Sequence, residues 1–257
     1  MCYDDSARPP LPPIRGAALD ARGEALELTA ADGNRFMAFS ALSGRGAGGP
    51  GIVILPDVRG LHRFYEELAL RFAEAGIHAT AFDYFGRTAG TGERGDDFGW
   101  TPHVQQTAPD TVASDVAAAV AHVRSPAGGG AQRVFTVGFC FGGRNSFNQA
   151  GRGHGLEGVI GFYGRPVAGD ASDTNAPADL AATYECPVLG LFGGADPGIA
   201  PEAVGTFRVA LDAAGVPNEL IVYDGAPHSF FDRTFSQYAA ACDDAWTRIL
   251  AFVGEPQ

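Results

Sequence analysis

The stretch Val134-Phe135-Thr136-Val137-Gly138-Phe139-Cys140-Phe141-Gly142-Gly143 decides the fold. An apolar run that predicts a strand ends in Gly-x-Cys-x-Gly-Gly, and Arg144 to Ala150 behind it can continue as a helix. Small residues on both sides of one reactive side chain mark a nucleophile elbow, a strand-to-helix turn too tight for bulky neighbours. The first amides of such a helix point toward that side chain, which favours a thiolate and later an oxyanion. Cys140 is therefore the candidate nucleophile.

On both sides of this stretch, strands and helices alternate. Ile52 to Leu55, Ile77 to Phe82, Arg133 to Phe139, Gly158 to Phe162, Pro187 to Phe192 and Glu219 to Tyr223 are short apolar runs of the kind buried on both faces of a sheet. Helical spacing is found in Phe64 to Ala75, Asp110 to Val123, Pro201 to Ala214 and Tyr238 to Val253. Glu24 to Ala30 and Arg35 to Leu42 predict a hairpin around Asp32-Gly33-Asn34. Residues 86–108 have no sustained apolar period and hold Gly90, Gly92, Gly95, Gly99 and Pro102, so a long loop is expected, and loops of that length are usually functional. The Pro- and Arg-rich start predicts an irregular arm over 1–23, followed by one α/β domain over 24–257 with a mostly parallel central sheet and helices on both faces.

Charge and composition narrow the function. A net charge of -12 over 257 residues, with 18 Lys and Arg dispersed along the chain, repels phosphate backbones and argues against nucleic-acid binding. No apolar run approaches the roughly 20 residues of a membrane helix. The start, Met1-Cys2-Tyr3-Asp4-Asp5, lacks the basic and apolar regions of a secretory signal, so a cytoplasmic location and no membrane partner are expected. Cys2, Cys140, Cys186 and Cys242 show neither Cys-x-x-Cys spacing nor an accompanying His cluster, so no metal is expected and Cys186 and Cys242 read as small buried hydrophobes.

Three reactive side chains each stand just past the carboxyl end of an expected strand: Cys140, Asp196 and His228. Nucleophile, acid and histidine in that chain order are the order of the α/β-hydrolase triad. His228 would take the thiol proton, and Asp196 would hold the imidazole in its tautomer. Asp170, Asp173 and Asp179 are the other carboxylates that could serve as the acid, whereas His228 is the sole histidine beyond Asp196. An oxyanion hole needs the amide after the nucleophile, Phe141, and one from the loop after an early strand; Leu55-Pro56-Asp57-Val58-Arg59-Gly60 nominates Val58. Asp57 is either a loop carboxylate or a charge acting on the Cys140 and His228 pair. Arg87, after Asp83-Tyr84-Phe85-Gly86, is either a surface arginine or a group facing the cleft.

With these residues in hand, the sequence resembles the dienelactone hydrolase family over roughly residues 24–253. Gly138-Phe139-Cys140-Phe141-Gly142-Gly143, Gly194-Ala195-Asp196 and Pro227-His228-Ser229-Phe230 carry the likeness. The resemblance implies a cysteine hydrolase that opens enol-lactones such as carboxymethylenebutenolides through a thioester, with no cofactor. It also implies substrate-binding roles for Asp57, where dienelactone-opening members have a glutamate one methylene longer, for Arg87 as a carboxylate-binding arginine, and for Arg233 as a second one if one residue is inserted. The loop with Trp100 and His103 is longer than in the smallest members and adds these two as substrate contacts. A small-molecule lactone or ester is thus the expected partner of a monomer or small homo-oligomer.

Two other readings stand beside this one. A general carboxylesterase or thioesterase would use the same triad. A non-catalytic module that binds a small ligand on a hydrolase scaffold should have lost a triad member, and all three are present. A class I glutamine amidotransferase is excluded, because it needs His-x-Glu and the chain has His228-Ser229-Phe230.

Overall fold

A strand covered on both faces sends alternate side chains into two cores. Residues 50–55 do so: Ile52 and Ile54 join one apolar cluster, and Val53 and Leu55 join another. In the computed structural model, which describes residues 7–14, 18–95, 97–232 and 234–254, this strand lies near the middle of an eight-stranded sheet. The strands are Ala21–Thr29 (β1), Arg35–Ser43 (β2), Pro50–Leu55 (β3), His78–Phe82 (β4), Arg133–Phe139 (β5), Gly158–Phe162 (β6), Val188–Gly193 (β7) and Asn218–Tyr223 (β8). Their spatial order is β1-β2-β4-β3-β5-β6-β7-β8. Only the pairs β1 with β2 and β2 with β4 are antiparallel; the other five pairs are parallel.

The helices are Arg63–Glu74 (α1), Gly86–Ala89 (α2), Thr101–Val104 (α3), Pro109–Arg124 (α4), Phe141–Gln149 (α5), Pro177–Leu180 (α6), Pro201–Ala213 (α7) and Ala239–Val253 (α8). Phe72 of α1 meets Trp246 of α8 edge to face at 4.9 Å, inside the cluster that takes Ile52 and Ile54. Val112, Val116 and Val120 of α4 belong to the other cluster, with Val53 and Leu55. Helices therefore cover both faces, as expected of a mostly parallel sheet. No helix among the described residues is long and apolar enough to cross a membrane.

Most boundaries differ from those read in the sequence by one or two residues, the expected loop over 86–108 holds the short helices α2 and α3, and two boundaries differ by three residues. The expected arm over 1–23 ends inside β1, where Gly23 is paired with Ala41. Here β1 is an edge strand with most of its side chains in solvent; Leu26 and Leu28 alternate onto the core, but Ala21 to Gly23 carry no apolar pattern, and Gly23 fits because the Phe39 ring occupies the space a Cβ would need. Residues 7–14 are irregular yet tied down: Ala7 is buried in the core cluster, and the Trp246 indole donates to the Pro10 carbonyl at 3.1 Å. The second difference is α5, which starts at Phe141 rather than Arg144 and so takes Gly142 and Gly143 into its first turn.

Candidate active site

Cys140 sits between β5 and α5 at φ 56° and ψ -113°, a conformation that costs energy for any residue with a Cβ and persists only where the surroundings impose it. Its amide donates to the Phe162 carbonyl at the end of β6 (3.0 Å), and its own carbonyl accepts from Arg144 in the first turn of α5 (3.1 Å). Backbone passes so near the turn that a Cβ on Gly138 would strike the Gly142 carbonyl, and one on Gly142 would strike the Leu55 carbonyl. The glycines thus answer to close backbone approach. The result leaves the Cys140 side chain partly exposed beside the helix N-terminus.

The other two members of the expected triad meet. Asp196 follows β7 and is buried; its Oδ2 lies 2.6 Å from His228 Nδ1, and its Oδ1 accepts from the Gly198 amide at 2.8 Å. An ionised carboxylate only accepts hydrogen bonds, so Nδ1 carries the proton and Nε2 is the ring nitrogen in the accepting form. Loop-to-loop bonds hold this register, from Gly194 N–H to Tyr223 O (2.8 Å) and from Ala195 N–H to Ala226 O (2.9 Å). Asp170 and Asp173 go elsewhere: Asp170 accepts from Ser172, and Asp173 pairs with Arg144 at 2.5 Å. Asp179 lies in the first turn of α6.

The proposed oxyanion donors are brought level by the sheet. β3 and β5 are parallel neighbours with Leu55 opposite Gly138, so Val58 and Phe141 each lie three residues beyond a paired position. Phe141 opens α5, where an amide has no acceptor within its own helix. Val58 is half-buried in a loop fixed at several points. The Asp57 amide donates to Tyr65 Oη (2.9 Å), Asp57 Oδ1 accepts from the Arg59 amide (2.9 Å), and Tyr84 Oη donates to the Pro56 carbonyl (2.9 Å). Asp57 is thus tied into its own loop, and its charge reaches the neighbouring strand end: burial first, then the charges of Asp57, Asp83 and Cys140, push the Tyr84 phenol well above its usual range. Tyr84 accordingly stays a neutral donor.

Arg87 is already engaged by carboxylates of the chain. Its guanidinium is bound to Asp32 in the hairpin turn (2.6 Å) and to Asp115 of α4 (2.8 Å), so the fork expected to hold a substrate carboxylate already holds two carboxylates of the chain. The reason is topological: β1 and β2 deliver their turn, and α4 its second turn, to the same end of β4. His103 is also engaged within its own loop, with Nδ1 at 3.0 Å from Thr88 Oγ1 and its ring stacked on Phe98 at 5.1 Å. Trp100 is half-buried just before α3. Arg233 lies outside the described residues. From Phe141 the rings run on through Tyr84 (5.2 Å), Phe85 (5.9 Å) and Phe98 (5.6 Å), which links the elbow to the 86–108 segment.

Sequence reasoning missed Tyr163, Tyr65 and Tyr84. Tyr163 follows β6 at φ 37°, and its ring lies 4.8 Å from that of His228. The strand-end rule that found Cys140, Asp196 and His228 applies equally to Tyr163 and could have found it. Cys186 and Cys242 are buried, and burial pushes both thiols up to about 12, so they stay protonated and inert.

A family model for the dienelactone hydrolase family matches residues 37–256. A protein of Escherichia coli (strain K12) named "Putative carboxymethylenebutenolidase" is 33% identical over 207 residues, covering 78% of this chain and 75% of the relative. A Bradyrhizobium sp protein named "Probable 2-oxo-3-(5-oxofuran-2-ylidene)propanoate lactonase" is 27% identical over 211 residues, 79% of this chain and 83% of the relative. The crystal structure of a "Putative Dienelactone Hydrolase" from Klebsiella pneumoniae subsp. pneumoniae MGH 78578 matches with a TM-score of 0.77 at 28% identity, covering 91% of this chain and all of that one. The family match over most of the chain and the structural match agree: the chain belongs to the dienelactone hydrolase family, hydrolases built on the α/β-hydrolase fold.

Proposed function

We propose that the chain is a cysteine-dependent hydrolase that opens a lactone or ester through a thioester. Cys140 attacks the carbonyl carbon, and the C–S bond forms as the thiol proton passes to His228 Nε2. Asp196 stabilises the resulting imidazolium. The amides of Phe141 and Val58 take the oxyanion. When the C–O bond breaks, the leaving oxygen receives the proton from Nε2; in a lactone that oxygen stays on the acyl group. Water then attacks the thioester, gives a proton to Nε2 and leaves the acid product, and the sulfur regains its proton.

The observation that carries this reading is the strained Cys140 at the head of α5 together with the 2.6 Å contact of His228 and Asp196, all beyond strand carboxyl ends. The lactone ring as substrate is supported by the names of the relatives. Commitment of Arg87 to Asp32 and Asp115 favours a second reading, in which the acyl group is a neutral ester rather than a carboxylate-bearing lactone.

One experiment tests both. In a Cys2→Ser background, iodoacetamide at neutral pH should modify Cys140 and leave Cys186 and Cys242 unmodified, with turnover lost in proportion to the Cys140 label. Turnover of a carboxylate-bearing lactone and of its methyl ester is followed in parallel. Preference for the methyl ester supports the neutral-substrate reading, and preference for the free acid removes it. Full turnover with Cys140 alkylated would refute the cysteine mechanism.

A further inference from the structure

Asp83, at the end of β4, is a buried carboxylate that holds two segments at once. Its Oδ1 accepts from the Leu61 amide (3.1 Å), and its Oδ2 accepts from the Phe85 amide (3.1 Å) and from Arg94 Nη2 (2.9 Å). Leu61 belongs to the loop that carries Val58, and Gly60 in that loop, at φ 79°, passes so near Asp83 that a Cβ would strike Oδ1. Arg94 comes from the 86–108 segment. Although it stands on a loop, it is buried; it also donates to the Gly90 carbonyl (2.6 Å) and lies over the Phe98 ring at 4.7 Å. Its own carbonyl lies 3.0 Å from His62 Nδ1, at the start of α1. A buried arginine and carboxylate cost desolvation, so their placement beside the oxyanion loop asks for a use.

We propose that Arg94 is a positioning residue for the hydrolysis: by fixing the Asp83 carboxylate it sets the 57–61 loop and hence the Val58 amide, so that the 86–108 segment and the oxyanion hole move as one unit. This rests on the proposed role of Val58. An oxyanion donor works only at the right distance from the developing charge, and a loop released by a fraction of an ångström loses most of that effect. Ionisable groups near the pair include Tyr84 beside Asp83, Asp57, Arg59 and His62 in the same loop as Leu61, and, in the 86–108 segment, Glu93 next to Arg94 and His103 stacked on the Phe98 ring that Arg94 covers; β2 contributes the Met37 carbonyl, which accepts from the Asp83 amide (2.8 Å). Burial raises the Asp83 carboxyl above its usual range, and Arg94 opposes that rise by charge and hydrogen bond. Without Arg94 the carboxyl protonates at higher pH. The protonated form has one oxygen fewer to accept from three N–H groups, so the loop loses its anchor as pH falls.

Arg94→Met keeps most of the side chain's volume, and the backbone contact with His62 survives it. The expected result is a kcat lowered about ten- to a hundredfold with KM changed less than about threefold, the loss of part of one oxyanion donor. The acid limb of log kcat against pH should steepen from one proton, that of the His228 imidazole, to two. Iodoacetamide should label Cys140 at the parent rate, since the thiol and imidazole are untouched. A parent kcat, a loss confined to KM with a one-proton limb, or a slowed Cys140 label would each overturn the proposal. If Arg94→Met does not fold, Asp83→Asn is the second variant: it should lower kcat to a similar extent with a one-proton limb, and a parent kcat there would overturn the proposal equally. Failure of Cys140 to label in the parent would instead count against the triad and is read in the same assay.

Discussion

Cys140→Ala should lower kcat for any lactone or ester substrate by about ten-thousandfold or more while leaving the protein folded, the scale seen when the nucleophile of a triad is removed. The chemical half of this expectation follows from the elbow. No other described thiol can take over, because burial raises Cys186 and Cys242 to about 12 and keeps them in the core. The structural half follows from what fixes the turn. Its geometry is held by backbone contacts, from Cys140 N–H to Phe162 O and from Arg144 N–H to Cys140 O, and these survive loss of the sulfur. Alanine tolerates the same φ and ψ no worse than cysteine, so stability should stay within about 1 kcal/mol of the parent, as for a side chain outside the core. Circular dichroism, thermal melting and turnover of a chromogenic ester check both halves. Retained turnover, or loss of the fold, would remove Cys140 from the role proposed.

His228→Ala and Asp196→Asn should each cost about a thousandfold or more in kcat, and neither should add to the other or to Cys140→Ala by simple multiplication. The 2.6 Å contact of Asp196 Oδ2 with His228 Nδ1 makes the two a unit. With Asp196→Asn, the amide group can donate to Nδ1, which moves the ring proton to Nε2 and blocks it as the acceptor of the thiol proton. Gly198 still donates to the remaining oxygen, so the loop itself should hold. The double variant Cys140→Ala with His228→Ala is therefore expected to be no slower than Cys140→Ala alone. A double variant slower by the product of the two single losses would mean that His228 acts on something other than the thiol.

What the sequence made legible was carried by short range. The strands buried on both faces announced themselves as apolar runs because each residue in them faces a core. The elbow was legible because three glycines crowd around one cysteine within a single short stretch, although two of the backbone contacts that require them, with Leu55 and Phe162, come from elsewhere in the chain. Where one element begins was harder to read: Gly142 and Gly143 look like helix breakers, yet they open α5 because nothing larger fits there. β1 was placed three residues too late because its first residues, Ala21 to Gly23, carry no apolar pattern on this edge strand. Arg87 shows the limit most clearly. A motif put it at a strand end facing the cleft, but its charge is taken by Asp32 and Asp115, brought to it by the hairpin turn and by α4. Such pairings depend on how distant segments converge, which local patterns do not encode. The same holds for Arg94 and Asp83, whose link runs through a segment that reads as unstructured in the sequence.

The cysteine mechanism requires the acyl group to pass through sulfur at Cys140. Rapid acid quench during turnover of a slow ester, followed by mass analysis of the peptide containing Cys140, tests it most directly. An adduct with the mass of the acyl group is expected on that peptide, removed by neutral hydroxylamine and absent from Cys140→Ala. Steady turnover with no adduct on Cys140, or an adduct on a different residue, would contradict it.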